Sequence, residues 1–299
     1  MSDFSAAISR ATRWPLGVFL AAWALAIPSA PAQTITASFL DFSSTTGLTL
    51  NGSAARSTSS DGTVLQLVPA SVNQHGSAFT TSLVAVGGFS TAFNFRLTNP
   101  GGISDGLEVG ADGFTFTIQT FGATALGSTG SGLGIDGVNH SVAVEFDTFF
   151  NSGIDPPLTN GGSNHLGINA NGNSTSLTTA AVSPNFDNGG LWTSWIDYDG
   201  TTMEVRVSNN GTRPSIATLT RTVNIPTTLG ASSAFVGFTA GTGSGYENQS
   251  IVNWSYSSTF VAGGISPIQA VPEPGTSALL GFGLLALAIG RRRSIRRAR

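Results

Sequence analysis

Five side chains of the kinds that bind metal ions are concentrated between residues 145 and 165. They are Glu145, Asp147, Asn151, Asp155 and His165. Glu145 and Asp147 are two residues apart in an alternating run, so on a β-strand both would project from one face. Carboxylates gathered at one place repel one another unless a cation lies among them. Oxygen donors of this kind suit Ca²⁺, and the histidine adds a donor suited to Mn²⁺ or another transition metal. A solvated acidic loop is the alternative interpretation.

The rest of the chain predicts the strands that must position this cluster. From about residue 33 to residue 262 there is no convincing helical period, but short alternating runs recur between turn residues. These runs are 63–68, 90–97, 113–119, 141–147, 203–208, 234–239 and 251–256. Glycine is abundant, with 38 in 299 residues, and it favours turns over helices. Many short strands in about 230 residues predict an all-β sandwich or barrel.

The charged residues are few and unevenly distributed. All 13 basic residues are arginines, and eight of them lie near the two ends of the chain. Between residues 33 and 270 five arginines face fourteen acidic residues, a formal net charge of −9. An acidic body does not attract phosphate backbones, so we expect no nucleic-acid partner. The absence of cysteine excludes a disulfide framework, a zinc-thiolate site and cysteine catalysis.

The N-terminal segment has the pattern of an export signal. Arg10 and Arg13 precede an apolar run over 16–27, which is followed by Pro-Ser-Ala-Pro-Ala at 28–32. This order predicts a secretory signal peptide over 1–32, with Gln33 as the mature N-terminus. A membrane anchor is the alternative, but twelve apolar residues are few for crossing a bilayer.

The C-terminal segment contains three features in a fixed order. Pro-Glu-Pro at 272–274 is followed by an apolar stretch over 275–290 and then by an arginine cluster. This order resembles the PEP-CTERM sorting signal of Gram-negative bacteria, here over 272–299, preceded by a linker over 263–271. The resemblance implies recognition by an exosortase, transient membrane association through 275–290, and release at the cell surface. A permanent single-span anchor is the alternative.

Several segments of the body resemble the legume, or L-type, lectins, in the same order along about 220 residues. They are FSTAFNFRL at 89–97, ADGFTFTIQ at 111–119, VAVEFDTFFN at 142–151, HLGIN at 165–169, LWTSWIDYDGTTMEVRVS at 191–208 and VGFTAGTGSGYENQSIVNWSY at 236–256. The resemblance implies that residues 33–262 form a concanavalin A-like jelly-roll sandwich of antiparallel sheets. It also implies a cis peptide bond between Ala111 and Asp112.

The same resemblance implies roles for individual residues. Mn²⁺ would be bound by Glu145, Asp147, Asp155 and His165, and Ca²⁺ by Asp147, the Phe149 carbonyl, Asn151 and Asp155. The sugar would be contacted by Asp112, Asn151, the Phe149 ring, the backbone of Ser244 and Gly245, and a backbone amide of the turn 130–132, from Gly132 or its neighbour Gly130. Compared with typical plant members, three extra residues separate Asp155 from His165.

These features predict an exported, calcium-dependent carbohydrate-binding protein rather than an enzyme. We expect it to act at the cell surface or in exopolysaccharide matrix, with glycans as partners, and its oligomeric state stays open. A glucanase on the same sandwich would need a third acid where Phe150 stands, which removes the acid/base of retaining hydrolysis. A structural matrix protein that binds no sugar is the second alternative.

Overall fold

The computed structural model describes residues 36–267, and the regular secondary structure of this part of the chain is almost entirely β-strand. The predicted signal peptide over 1–32 and the predicted sorting signal over 272–299 lie outside the described residues. Within 36–267, no helix combines the length and the apolar character that a membrane crossing requires. One short helix, α1 (Ile225–Leu229), and one 3₁₀ turn, Gly130–Gly132, interrupt the strands.

The strands follow one another with short connections. In chain order they are β1 (Ala37–Phe39), β2 (Leu48–Gly52), β3 (Ala55–Ser59), β4 (Gly62–Val68), β5 (His75–Thr80), β6 (Val84–Ala85), β7 (Phe89–Gly102), β8 (Gly113–Gln119), β9 (Ser141–Asp147), β10 (His165–Ala170), β11 (Thr178–Ala181), β12 (Trp192–Tyr198), β13 (Thr202–Ser208), β14 (Leu219–Thr222), β15 (Ser233–Gly241) and β16 (Gly245–Ser257). Each of the seven runs expected from alternation lies within one of these strands.

The strands form two antiparallel sheets. The first has the order β14-β13-β12-β7-β16-β4-β3, with β1 paired to β16. The second has the order β11-β10-β9-β8-β15-β5-β2, with β6 paired to β15. Neighbours in each sheet are often distant in sequence, which is typical of jelly-roll connections. The predicted all-β sandwich of antiparallel sheets is confirmed.

Aromatic side chains fill much of the space between the sheets. Phe114 and Phe146 are cross-strand partners in β8 and β9, and their rings stack with centroids 4.6 Å apart. Phe93 of the opposite sheet meets Phe238 edge to face at 5.0 Å. Such contacts add about 0.5–1.5 kcal/mol per pair beyond the burial of apolar area. This core fixes the position of β9, whose last residue begins the candidate site.

The tryptophans of the body belong to the packed interior. Trp192, Trp195 and Trp254 are 2%, 3% and 0% exposed, as expected for core residues rather than sugar platforms. Trp195 packs with Ala92 and with Ile265, which is itself 2% exposed. Ile265 falls in the segment expected to be a linker, so the described beginning of that segment packs against the first sheet.

Candidate functional site

Strand register brings the candidate residues together at one end of the second sheet. Asp147 ends β9 and lies opposite Gly113 of β8 on one side and His165 of β10 on the other. Glu145, two residues earlier, lies opposite Gly167 of β10. Since side chains two apart share a face, the two acids and the histidine converge there.

A tight turn returns Asp155 to this point after the chain leaves β9. The backbone N–H groups of Ile154 and Asp155 each donate to the Asn151 carbonyl at 3.0 Å. The Asn151 N–H donates in turn to the Asp155 carboxylate, and the Phe149 N–H donates to Asp147 Oδ1 at 2.8 Å. The loop is therefore ordered around the carboxylates rather than merely solvated, against the alternative of an acidic surface loop.

Asp147, Asp155 and His165 form the tightest group of metal-ligating side chains in residues 36–267. One ligand atom from each lies within 4.8 Å of the others. His165 is fully buried, and its Nδ1 donates to the Gly162 carbonyl at 2.9 Å. Because a carbonyl can only accept, the hydrogen is on Nδ1, which leaves the Nε2 lone pair directed into the cluster. The three extra residues before His165 are accommodated by the intervening loop.

Glu145 lies beside this group and is held in place by its own partners. Its Oε1 is 3.3 Å from His165 Nε2, and its Oε2 accepts from Asn169 Nδ2 at 2.8 Å. The Ser176 hydroxyl donates to Oε1. The carboxylate has room because the residue opposite it is Gly167, where a Cβ would overlap Glu145 Oε1.

Burial and mutual repulsion make this group unfavourable without a cation. Desolvation, followed by the charges of Asp155 and Glu145, raises the pKa of Asp147 well above its ordinary value. Desolvation also raises the pKa of Asp155 to about 6. Burial alone would lower the pKa of His165, but hydrogen bonding and charge from Glu145 outweigh it, so that pKa is raised. A bound cation would remove this penalty.

The donor atoms of this cluster fit Ca²⁺ and Mn²⁺, the two metals that the sequence suggested. Asn151 Oδ1 is buried with no hydrogen-bond partner, and the neighbour of His165 Nε2 is the Glu145 carboxylate, 3.3 Å away. Both atoms can donate a lone pair to a cation, and the His165 ligand atom lies within 4.8 Å of carboxylate oxygens of Asp147 and Asp155. Carboxylate and amide oxygens are suited to Ca²⁺, and imidazole together with carboxylates is suited to Mn²⁺.

Asp112 is next to this cluster, immediately before β8. The peptide bond between Ala111 and Asp112 is cis, as the resemblance implied. The Asp112 carbonyl accepts from Thr148 N at 3.1 Å, and its own N–H donates to the Gly241 carbonyl at 3.2 Å. The side chain is 4% exposed, and Oδ2 has no hydrogen-bond partner. Desolvation raises the pKa of Asp112 to about 7.

The other residues expected to contact the sugar lie around Asp112, but not all of them adjoin its carboxylate. Gly130 and Gly243 are the glycines whose backbone adjoins the Asp112 carboxylate. Gly132, in contrast, donates its N–H to the Thr129 carbonyl within the 3₁₀ turn. Ser244 presents its carbonyl to Ile103 N, Gly245 packs on the Ala111 methyl group, and Phe149 is 8% exposed. The region beside Asp112 is therefore lined mainly by backbone.

Sequence reasoning missed a second acidic group, formed by Glu108, Asp187 and Glu247. The three residues come from a loop after β7, a loop before β12, and β16, so no spacing in the sequence connects them. Desolvation raises the pKa of Glu108 to about 7, that of Asp187 to about 6, and that of Glu247 well above its ordinary value. Only tertiary contacts reveal this group.

Comparison with known proteins explains the arrangement. The family model described as the legume lectin domain matches residues 35–270. The chain belongs to the legume lectin domain family. A second model, the PEP-CTERM protein-sorting motif, matches residues 270–294. Both resemblances found in the sequence are thus confirmed, and the family is non-catalytic and carbohydrate-binding.

Curated relatives include lectins and the lectin parts of larger proteins. The L-type lectin-domain containing receptor kinase VIII.1 of Arabidopsis thaliana is 34% identical over 209 residues, which are 67% of this chain and 27% of the kinase. The anti-H(O) lectin of Lotus tetragonolobus is 34% identical over 180 residues, 58% of this chain and 70% of that lectin. This chain therefore corresponds to the lectin part of the kinase and spans only a minor share of its length.

Solved structures agree with this assignment. The basic winged bean lectin, solved with the Tn-antigen, is 28% identical, with a TM-score of 0.59, 74% of this chain covered and 96% of that one. A seed lectin of Lotus tetragonolobus is 25% identical, with a TM-score of 0.62, 75% of this chain covered and 98% of that one. Legume lectins generally bind Ca²⁺ and Mn²⁺, which is consistent with the donor set at Asp147.

Proposed function

We propose that this protein is a calcium-dependent lectin whose sugar site is centred on Asp112 and Asn151. The observation that carries the proposal is the pair of buried oxygens without hydrogen-bond partners, Asp112 Oδ2 and Asn151 Oδ1, in the segments that adjoin the metal-ligating cluster. Buried polar atoms are normally paired, so these two oxygens are available to accept hydrogen bonds from a ligand. Fold and family support this function independently.

The two side chains offer complementary chemistry to a sugar. An ionised Asp112 only accepts, so it can take hydrogen bonds from two hydroxyl groups, whereas the Asn151 amide both donates and accepts. Bound Ca²⁺ and Mn²⁺ would supply the positive charge that keeps the carboxylates ionised and the loop over 148–155 ordered. Residues that would hold them are Glu145, Asp147, the Phe149 carbonyl, Asn151, Asp155 and His165.

The remaining contacts would come from the backbone beside Asp112 and from the accessible part of Phe149. We propose that the backbone of Gly132, Ser244 and Gly245 contacts the sugar. The backbone of Gly130 and Gly243 would do so too, because these two glycines adjoin Asp112. We expect binding of neutral hexose-type glycans, with a dissociation constant on the order of 0.1–1 mM for a single sugar, about 4–5.5 kcal/mol. Several copies or a multivalent glycan would then raise the avidity.

We also propose where the protein acts. The PEP-CTERM match implies export, and we propose a signal peptide over 1–32, a lectin domain over 33–262, a linker over 263–271 and a sorting signal over 272–299. An exosortase would process the sorting signal after transient membrane association through 275–290. The lectin would then act at the cell surface or in exopolysaccharide matrix. Intact-mass measurement of surface protein tests this, and a C-terminus retained through Arg299 argues against processing.

The variant Asp112→Asn tests the sugar site. It preserves shape but removes the charged acceptor, so we expect glycan binding to fall at least tenfold on a glycan array and in calorimetry, with Ca²⁺ affinity nearly unchanged. Asp147→Ala should lose both. Asp41→Asn removes an exposed carboxylate elsewhere and should leave binding at the wild-type level. Equal glycan binding by Asp112→Asn and the wild type would contradict this site, and no glycan binding by metal-loaded wild type would favour a structural matrix protein.

A further inference from the structure

Glu247 is a fully buried acid that the proposed lectin site does not use. It lies in β16 with no solvent exposure. Its Oε1 accepts from the Thr148 hydroxyl at 2.9 Å, but its Oε2 has no hydrogen-bond partner. Burying a carboxylate is costly unless it is paired or bound to a cation, so this oxygen requires an explanation.

The free oxygen of Glu247 is directed toward a second carboxylate. A Cβ built on Gly110 would be 3.3 Å from Glu247 Oε2 and 2.7 Å from Asp187 Oδ2. Both oxygens therefore face the same small space beside Gly110, which has no side chain to fill it. Two carboxylates that share one space repel each other unless a proton or a cation lies between them.

Glu108 is a third carboxylate, close enough to Asp187 and Glu247 for their charges to interact. Its Oε2 accepts from the Asn185 side chain, and the Ser163 hydroxyl also donates to the carboxylate. The loop that carries it is folded by Asp105, whose Oδ1 accepts from the N–H groups of Leu107 and Glu108 and whose Oδ2 accepts from Phe150 N. Glu108 and Asp187 are only partly buried, which provides a route from solvent.

No positive side chain balances these three acids within the described residues 36–267. The arginine ion pairs there join Arg96 to Asp61, Arg206 to Asp197 and Glu204, and Arg213 to Asp197. The histidine pair joins His165 to Glu145. None of these pairs includes Glu108, Asp187 or Glu247, so a cation from solution is the available source of positive charge.

We propose that Glu108, Asp187 and Glu247 bind one further Ca²⁺, in addition to the ions at the cluster of Asp147, Asp155 and His165. The donors are oxygen atoms alone, which favours Ca²⁺ over a transition metal. The three carboxylates are not gathered within 4.8 Å of one another as the ligand atoms of the first cluster are, so the partly exposed Glu108 and Asp187 would have to move toward the ion. The ion would join the loop over 103–110, which leads to Asp112, to the loop before β12 and to β16.

Calcium stoichiometry tests this site separately from glycan binding. With the full-length chain and saturating Mn²⁺, equilibrium dialysis against ⁴⁵Ca²⁺ should give one more ion per chain for the wild type than for Glu247→Gln or Asp187→Asn. Asp147→Asn should lose a different ion and keep the one that Glu247→Gln removes. Asp41→Asn, which removes an exposed charge, should match the wild type.

Each outcome decides the proposal. Full calcium stoichiometry in both Glu247→Gln and Asp187→Asn would overturn it and would indicate a proton shared between the acids. If circular dichroism shows that Glu247→Gln fails to fold, Asp187→Asn in the partly exposed loop decides the matter alone. Glycan binding is not measured here, so failure of the lectin proposal would leave this result interpretable.

Discussion

His165 lies directly opposite Asp147 in the antiparallel ladder between β9 and β10. The ladder brings the imidazole to the end of the acidic strand although a long loop separates the two residues in sequence. The Nδ1 hydrogen bond to the Gly162 carbonyl then orients Nε2 toward the carboxylates. Metal-bound histidines usually have such a second partner, which fixes the tautomer and the ring orientation.

Removal of metal should destabilise the protein. Ligands that bind only the folded state stabilise it by RT ln(1 + [L]/Kd), about 2.7 kcal/mol at a hundredfold excess over Kd. We expect EDTA to lower the Tm of verified metal-loaded protein, and Ca²⁺ with Mn²⁺ to restore it. Asp147→Asn, which affects both proposed ions, should respond much less. A Tm that chelation leaves unchanged would rule out this metal dependence.

His165→Asn should separate the two proposed metals of the site. The imidazole is assigned to the transition metal and not to Ca²⁺, so we expect Mn²⁺ affinity to fall at least tenfold while calcium affinity falls much less. Electron paramagnetic resonance of free Mn²⁺ during titration measures the change. His140→Asn replaces an exposed histidine and serves as the matched control. Equal Mn²⁺ binding by the two variants would remove His165 from the ligand set.

Gly167→Ala should disturb the site without changing any ligand. A methyl group there would overlap Glu145 Oε1 and the Ser176 hydroxyl, so the Glu145 carboxylate must move. We expect a loss of Mn²⁺ affinity and a lower Tm, by about 1–3 kcal/mol in stability, as overpacking usually costs. Gly87→Ala, at a position with no atoms near its Cβ, is the control for the substitution itself. If Gly167→Ala bound metal as tightly as the wild type, metal binding would not depend on the present position of the Glu145 carboxylate.

The metal-free protein should lose stability as pH rises. The folded-state pKa values of Asp112, about 7, and Asp155, about 6, lie above the ordinary 3.8, so the folded state binds more protons between those values than the unfolded state does. Stability therefore falls as pH increases from about 4 to 7. Thermal melts in EDTA across this range measure the slope, and Asp112→Asn should reduce it. A Tm that rises with pH in EDTA would contradict these shifts.

Bound metal should oppose the loss of stability that the metal-free protein shows as pH rises. Cations bind the ionised carboxylates, so the gain in Tm from Ca²⁺ and Mn²⁺ should grow between about pH 5 and 7. The same melts repeated with metal provide the comparison. A gain in Tm that is constant with pH would mean that the titrating carboxylates are not the metal ligands.

Local sequence indicated seven of the sixteen strands and the residues of the principal candidate site. Alternation of apolar and polar residues fixes which side chains face the core, because side chains on a strand alternate strictly between two faces. Glu145 and Asp147 could be assigned to one face from their spacing alone, and Asn151 and Asp155 lie within one turn of the strand end. His165 belongs to the same short segment by residue type and spacing, and the family motifs then added Asp112, whose hydrogen-bond partners include the distant Gly241.

Only the tertiary structure decided what depends on contacts between distant segments. Glu108, Asp187 and Glu247 lie on three separate elements, and neither spacing nor composition indicates that the carboxylates of Asp187 and Glu247 meet at Gly110 or that the charge of Glu108 acts on Glu247. The glycines beside Asp112 are likewise Gly130 and Gly243 rather than Gly132, because the packing of the 3₁₀ turn against the loop before β16 sets that distance. Sheet order and loop packing are cooperative properties of the whole chain, so a local pattern does not encode them.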